Sequence, residues 1–250
     1  MDKISFGIAG LDDALFGGIP AGNLVLVSGS AGTGKSTLCM QFLVNNSLKG
    51  LRSIYVSTEQ DECALVEQGK LYGWDMDGLI KSNLLRIVYV DILKDTSFVE
   101  KIRAVVSSFK PNLLAIDSLN TLSDFATLSD YSKSLVLKGA SHAYGQGLST
   151  VIPRPVFEKA IMKQLLSMFL NEIRSYKTTT LLISETSATN EYYSFEGASE
   201  FLVDGIILMK SRSIDDILSR TLEIKKMRYT KVNGGVKAYE LSENGVTLPW

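Results

Sequence analysis

The chain has 250 residues, of which 45% are apolar and 21% charged, with a net charge of −1 and a pI near 6.0. That is ample material for a buried core. So neutral a balance supplies no global field to hold nucleic acid or an anionic membrane, and any such contact has to come from a local patch.

No apolar run approaches the length of a membrane span, and the N-terminus MDKISFGIAG lacks the apolar core of a signal peptide. A cytoplasmic protein in a reducing compartment, with no membrane contact, is therefore expected. Cys39 and Cys63 stand in no metal spacing and fall inside predicted helices, where the expected role of both is that of a small buried hydrophobe.

In chain order, LVLVS (24–28) reads as a strand leading into a Gly-rich turn and a helix over about 35–48. SIYVS (53–57) is a second strand, followed by a helical stretch over roughly 61–72. LLRIVYV (84–90) is a third, and SFVEKIRAVVSSF (97–109) after it places Phe98, Ile102, Val105, Val106 and Phe109 at helical spacing. LLAID (113–117) is a fourth strand. A long amphipathic helix over about 156–175 carries Val156, Ile161, Leu165, Phe169 and Ile173, and TTLLIS (179–184) is a fifth strand. Strands alternating with helices over short connections imply a parallel sheet covered by helices on both faces.

Two regions depart from this alternation. FLVDGIILM (201–209) reads as a buried strand, and TLEIKKMR and VKAYELS follow it with Asn233-Gly234-Gly235 between them, a hairpin signal. The tail is thus expected to extend the sheet with antiparallel strands. Ser118 to Pro155 is far longer than an ordinary connection and reads as a functional loop or insertion within one domain spanning 1–250.

GSAGTGKST (29–37) follows a strand and opens a helix, the setting that the pattern G-x-x-x-x-G-K-[ST] requires. Glycines let backbone N–H groups curl around phosphates, and the helix N-terminus adds its positive end. Gly29, Ser30, Ala31, Gly32, Thr33, Gly34, Lys35, Ser36 and Thr37 are the expected ATP-binding residues. Lys35 would neutralise the β/γ oxygens, and Ser36 would offer a hydroxyl to Mg²⁺. Asp117, ending an apolar strand taken to lie beside this loop, is the expected second Mg²⁺ residue, acting through the metal's water shell. Glu59, at the end of the second strand with Gln60 beside it, is the candidate to activate water; the alternative is a solvated strand end.

Several separated stretches together resemble the KaiC and RadA-like branch of the RecA superfamily. ISFGIAGLDDALFGGIPAG (4–22) is similar to that branch's opening T-G-x-x-x-L-D-x-x-L-G-G-G-I-P-x-G, and Ser57-Thr58-Glu59-Gln60 to its strand-T-E-E element. LYGWDMDGL (71–79) is similar to its G-W-D segment. The resemblance covers most of 4–118 and resumes from about Leu181.

It implies a RecA-like P-loop NTPase fold, ATP and Mg²⁺ as cofactors, and ATP hydrolysis with Glu59 as the residue that activates water. The second Glu frequent in the family is Gln60 here, which leaves one carboxylate for that role. The resemblance also implies that Ser184 and Glu185, ending TTLLIS-E, stand at a position that senses the γ-phosphate, Ser184 being the sensor. Lys226-Met227-Arg228 is similar to the family's K-x-R element, whose two cations reach across a subunit interface to the phosphate bound next door; the alternative is a guarded strand edge. A homo-oligomeric ring, such as a hexamer, is thereby implied.

The resemblance lapses over 123–155. There Tyr131, Lys133, Lys138, His142, Tyr144 and Arg154 mix aromatics with cations, as in a single-strand nucleic-acid surface, though too sparsely to favour DNA over an ordinary surface insertion. The reading preferred is an oligomeric ATP switch that contacts a protein signalling partner, with protein kinase activity left open. A DNA-binding recombinase paralogue and a nucleotide-binding scaffold with little hydrolysis are the alternatives.

Overall fold

The computed structural model describes residues 2–91, 97–120, 154–186, 192–194, 197–214 and 217–248, with side chains excepted at 154–162, 213, 214, 217 and 218. Strands are β1 (Lys3–Ile4), β2 (Ile19–Pro20), β3 (Leu24–Gly29), β4 (Ser53–Ser57), β5 (Leu85–Tyr89), β6 (Leu113–Asp117), β7 (Thr179–Glu185), β8 (Gly205–Ile214), β9 (Ile217–Met227), β10 (Val236–Ala238), β11 (Glu240–Ser242) and β12 (Gly245–Thr247). Helices are α1 (Ala9–Ala14), α2 (Lys35–Ser47), α3 (Glu62–Leu71), α4 (Met76–Lys81), α5 (Phe98–Phe109), α6 (Arg154–Ser175) and α7 (Ser199–Leu202).

An eight-stranded sheet runs in the order β10-β9-β8-β3-β7-β6-β4-β5. Its six strands from β8 to β5 are parallel, and β9 and β10 add antiparallel strands at one edge. The fold is thus α/β with antiparallel C-terminal strands, as expected. The alternation of β3 sets its layers: Val25 and Val27 face a core with α1 to α4, while Leu24 and Leu26 face the other with α5 and α6. Helix starts follow local chemistry, with Asp61 accepting from Ala64 N at 2.8 Å and Asp75 from Gly78 N at 2.9 Å.

Four expectations need correction. FLVDGIILM is not one strand: residues up to Leu202 form the short α7, and β8 begins at Gly205. The pairing of β9 with β10 is not closed at Asn233-Gly234-Gly235. Val236 pairs with Glu223, and the connection leaves the sheet to bond Ala14 through Asn233 N. The VKAYELS run breaks at Tyr239, whose ring is buried, so that β11 pairs with β12 instead. Cys39 is buried as expected, but Cys63 is exposed, because the first turn of α3 faces outward.

Asp204 ties the ends of β3, β8, β9 and α6 together. Its carboxylate accepts from Leu24 N at 3.1 Å, from Arg174 Nη1 at 2.9 Å and from Arg228 Nη1 at 3.3 Å. The side chain is 4% exposed, so removing it leaves a buried N–H without its partner. Asp204→Ala is expected to cost about 2–3 kcal/mol and to lower the Tm by several degrees in thermal unfolding. An unchanged Tm would mean that Asp204 does not hold these ends together.

Candidate functional site

All six parallel strands point one way, so their C-terminal ends carry the loop after β3, Glu59 after β4, Asp117 ending β6, and Ser184 and Glu185 ending β7. Clefts at this end of an open parallel sheet are where such folds bind ligands. In the loop, Gly29 packs so tightly on β8 that a Cβ there would meet Met209 O at 2.3 Å. Gly34, at φ +84, turns the chain into α2 in the left-handed region. Its N-terminal helix and glycine-rich turn leave backbone N–H groups for phosphate oxygens.

Lys35 is nearly buried, and its Nζ donates to Ser30 O at 2.9 Å. Burial lowers its pKa from the ordinary lysine value, while Glu185, Asp117, Glu59 and Cys39 act in the opposite direction. Three carboxylates from three strand ends therefore face one ammonium, which is the charge balance expected where a polyphosphate and a divalent cation are to be accommodated together. Hard oxygen donors, the Ser36 hydroxyl and the Asp117 carboxylate, suit Mg²⁺.

Asp117 is 8% exposed, and its backbone carbonyl accepts from Thr58 N at 2.7 Å and Thr58 Oγ1 at 3.0 Å. The link fixes the turn carrying Glu59 against the end of β6. Glu59 is exposed and accepts from Ser118 Oγ at 3.2 Å, so its carboxylate is held without being desolvated. Gln60 N donates to Ser57 Oγ at 3.0 Å, and its side chain is exposed. Ser184 is fully buried and donates to Asn120 Oδ1 at 3.2 Å; the same oxygen accepts from Glu185 N at 3.1 Å.

Besides Glu185, which the TTLLIS-E strand end marks together with Ser184, four participants, Tyr55, Asn120, Tyr239 and Leu241, had no motif to mark them. Tyr55 is fully buried, with its hydroxyl 2.5 Å from Asp117 Oδ2. Asn120 bridges β6 to β7. Glu185 is the carboxylate acting most strongly on Lys35. Tyr239 donates to Thr33 O at 2.5 Å, and Leu241 packs on Gly34, so the C-terminal strands buttress the loop. The hydroxyl of Tyr239, pushed by burial up to about 12, keeps its proton for that bond.

Lys226 and Arg228 lie at the other end of the sheet. A bulge opposite Ile206 and Ile207 leaves Lys225 as the extra residue. Met227 then joins Leu222 and Ile224 in the core, and Lys226 and Arg228 share the opposite face. Arg228 N bonds Asp204 O, and Asp204 N bonds the start of β3 at Leu24 O. The length of β3, about 17 Å at 3.3 Å per residue, separates this point from Gly29. Neither cation reaches the phosphate loop of its own chain.

They also differ from one another. Lys226 Nζ donates to Glu200 O at 3.1 Å and Val203 O at 2.7 Å. Burial, and after it the Arg228 charge, lowers its pKa from the ordinary value. The Arg228 side chain is 48% exposed.

Residues 121–153, which contain most of the segment considered for DNA, lie outside the described residues, as do its His142, Tyr131 and Tyr144. Among the described residues no helix is long and apolar enough to cross a membrane, and no cluster of His, Cys, Asp and Glu forms a metal site of its own.

A family model described as ATPase: KaiC matches residues 4–136 and 153–250. A UPF0273 protein of Thermotoga maritima is 28% identical, over 98% of this chain and 95% of that one. A UPF0273 protein of Aeropyrum pernix is 29% identical, over 99% and 94%. The circadian clock oscillator protein KaiC of a Nostoc species is 26% identical over 99% of this chain, which spans 44% of it. The crystal structure of a KaiC-like protein of Pyrococcus horikoshii OT3 superposes with a TM-score of 0.78 over 100% of this chain and 99% of that one, at 24% identity, a likeness of fold.

Proposed function

The chain belongs to the KaiC family of ATPases, and we propose that it binds ATP with Mg²⁺, hydrolyses it slowly, and works as an oligomeric nucleotide switch whose sites are completed by neighbouring copies. The observation that carries the reading is the convergence on Lys35 of the phosphate loop and the acids that end β4, β6 and β7.

Lys35 exchanges the Ser30 carbonyl for phosphate oxygens, and the loop N–H groups hold the chain of phosphates in place. Ser36, and Asp117 through water, would hold Mg²⁺, which would supply neutralising charge for the transferring phosphoryl group. Glu59 orients the attacking water and accepts its proton, with Ser118 keeping the carboxylate in register. Ser184, through Asn120, couples the end of β7 to the residues after Asp117.

The remaining demand is a cation for the transition state. In cis it is out of reach, and Arg228 from a neighbour meets it. Three exposed aromatic side chains belong to the surroundings of Arg228: Tyr229 next to it in sequence, Phe16, and Phe201 on α7. Lys3 joins the first two regions by bonding Phe16 O at 2.7 Å and Thr230 Oγ1 at 2.6 Å. Exposed aromatics around an arginine are the composition of a protein contact. Because Lys226 is already committed to carbonyls near α7, its role is to hold that end of β9, and Arg228 is the residue that reaches across.

Lys35→Ala tests the site. Titration with a fluorescent ATP analogue is expected to show no saturable binding at micromolar protein, while the variant unfolds cooperatively like the parent. Retained micromolar affinity would remove the loop from the account.

A further inference from the structure

Tyr55 occupies the middle of β4, where its neighbours Ile54 and Val56 are apolar and face the opposite core. A phenylalanine would fill the same volume, so the hydroxyl itself calls for a reason. Burying a phenol beside a carboxylate is costly unless a hydrogen bond compensates.

That hydroxyl bonds one half of the metal site, and the Tyr55 side chain lines a small cavity together with Ser36 of the other. The hydroxyl donates to Asp117 Oδ2 at 2.5 Å, the bond that the charged acceptor strengthens. A phenol has one proton to give and lone pairs to accept with. Its one proton goes to Asp117. Oδ2 is thereby occupied from below, and Oδ1 is the oxygen left for the water shell of a cation.

We propose that Tyr55 is a positioning residue for Mg²⁺: its hydroxyl holds the Asp117 carboxylate in one orientation before metal and nucleotide arrive. The inference rests on the Mg-ATP reading above. It explains why a fully buried position in an apolar strand carries a phenol and not a phenylalanine. Outer-shell partners of this kind commonly set metal affinity by one to two orders of magnitude.

The test is Tyr55→Phe, read by titrating Mg²⁺ against binding of a fluorescent ATP analogue and against phosphate release. The half-saturating Mg²⁺ is expected to rise about tenfold. Affinity for the analogue in EDTA is expected to stay within about twofold, since no phosphate contact is lost. In an Asp117→Asn background, Tyr55→Phe is expected to add nothing to the metal requirement. Wild-type binding that strengthens with Mg²⁺, paired with an unchanged Mg²⁺ requirement in Tyr55→Phe, overturns the inference and leaves the Mg-ATP reading standing. So does a Tyr55→Phe protein that fails to fold, because the hydroxyl then serves stability. A wild-type protein whose binding ignores Mg²⁺ overturns the Mg-ATP reading, and the inference falls with it.

Discussion

Arg228→Ala protein is expected to bind ATP as tightly as the parent and to release phosphate about a thousandfold more slowly. A guanidinium delivered to the transferring phosphoryl group typically contributes three to five orders of magnitude in rate. The planar fork and permanent charge of arginine suit it to this role better than lysine. On the proposed reading the arginine acts from a second copy, because Arg228 N is anchored to Asp204 O beside the start of β3 while the phosphate loop lies at the other end. Phosphate release per subunit is therefore also expected to rise steeply with protein concentration in the parent.

Folding should be little affected by this substitution. The Arg228 ion pair with Asp204 is 3.3 Å long with a half-exposed guanidinium, and such pairs contribute about 1 kcal/mol or less. Asp204 also keeps Arg174 and Leu24 N. A circular dichroism melt separates the two effects: an intact Tm with lost turnover is the predicted combination. Full activity of a dilute monomer, or an Arg228→Ala protein with parental turnover, would contradict the account.

Glu59→Gln is expected to keep ATP binding and to lose a hundredfold to ten-thousandfold of steady-state phosphate release, the range for losing a general base. The amide oxygen of glutamine can still accept the Ser118 hydroxyl, so the turn after β4 should stay in place. What is lost is the capacity to take a proton. Gln60 offers no substitute, since it has the same deficiency. Single-turnover phosphate release on preloaded protein is the measurement, and unchanged turnover would take Glu59 out of the mechanism.

Much of this was legible in the sequence, for identifiable reasons. The parallel strands read as short apolar runs because helices cover both their faces, and the phosphate loop read as a motif because its backbone geometry demands glycine at fixed spacing. Glu59 and Asp117 were accessible because strand ends on one side of a parallel sheet converge. Strand order was not. The placement of β7 between β3 and β6 depends on which crossover each helix makes, and no residue in TTLLIS announces it. The bulge at Lys225 was equally silent, although it leaves the shared face of Lys226 and Arg228 intact.

Side-chain partnership was the least legible layer. Tyr55 sits in an apolar run and reads as core, and only the register of β4 with β6, which pairs Ser57 with Asp117, reveals what its hydroxyl meets. Likewise nothing in VKAYELS predicts that the Tyr239 side chain reaches Thr33 O. Lys226 and Arg228 read as an equivalent pair in sequence. They part only in three dimensions, where α7 presents carbonyls to the lysine and leaves the arginine exposed.

The central claim is that a site built on one copy is completed by Arg228 of another, and a mixing experiment tests it most directly. Glu59→Gln subunits retain Arg228 but cannot activate water, and Arg228→Ala subunits retain Glu59 but supply no guanidinium. Each is expected to be nearly inactive alone. Mixed in equal amounts and allowed to exchange, they form contacts in which an intact Glu59 site meets an intact Arg228, and phosphate release should reappear well above the sum of the two. A mixture no more active than that sum, with exchange of subunits verified by fluorescence transfer, would contradict the account.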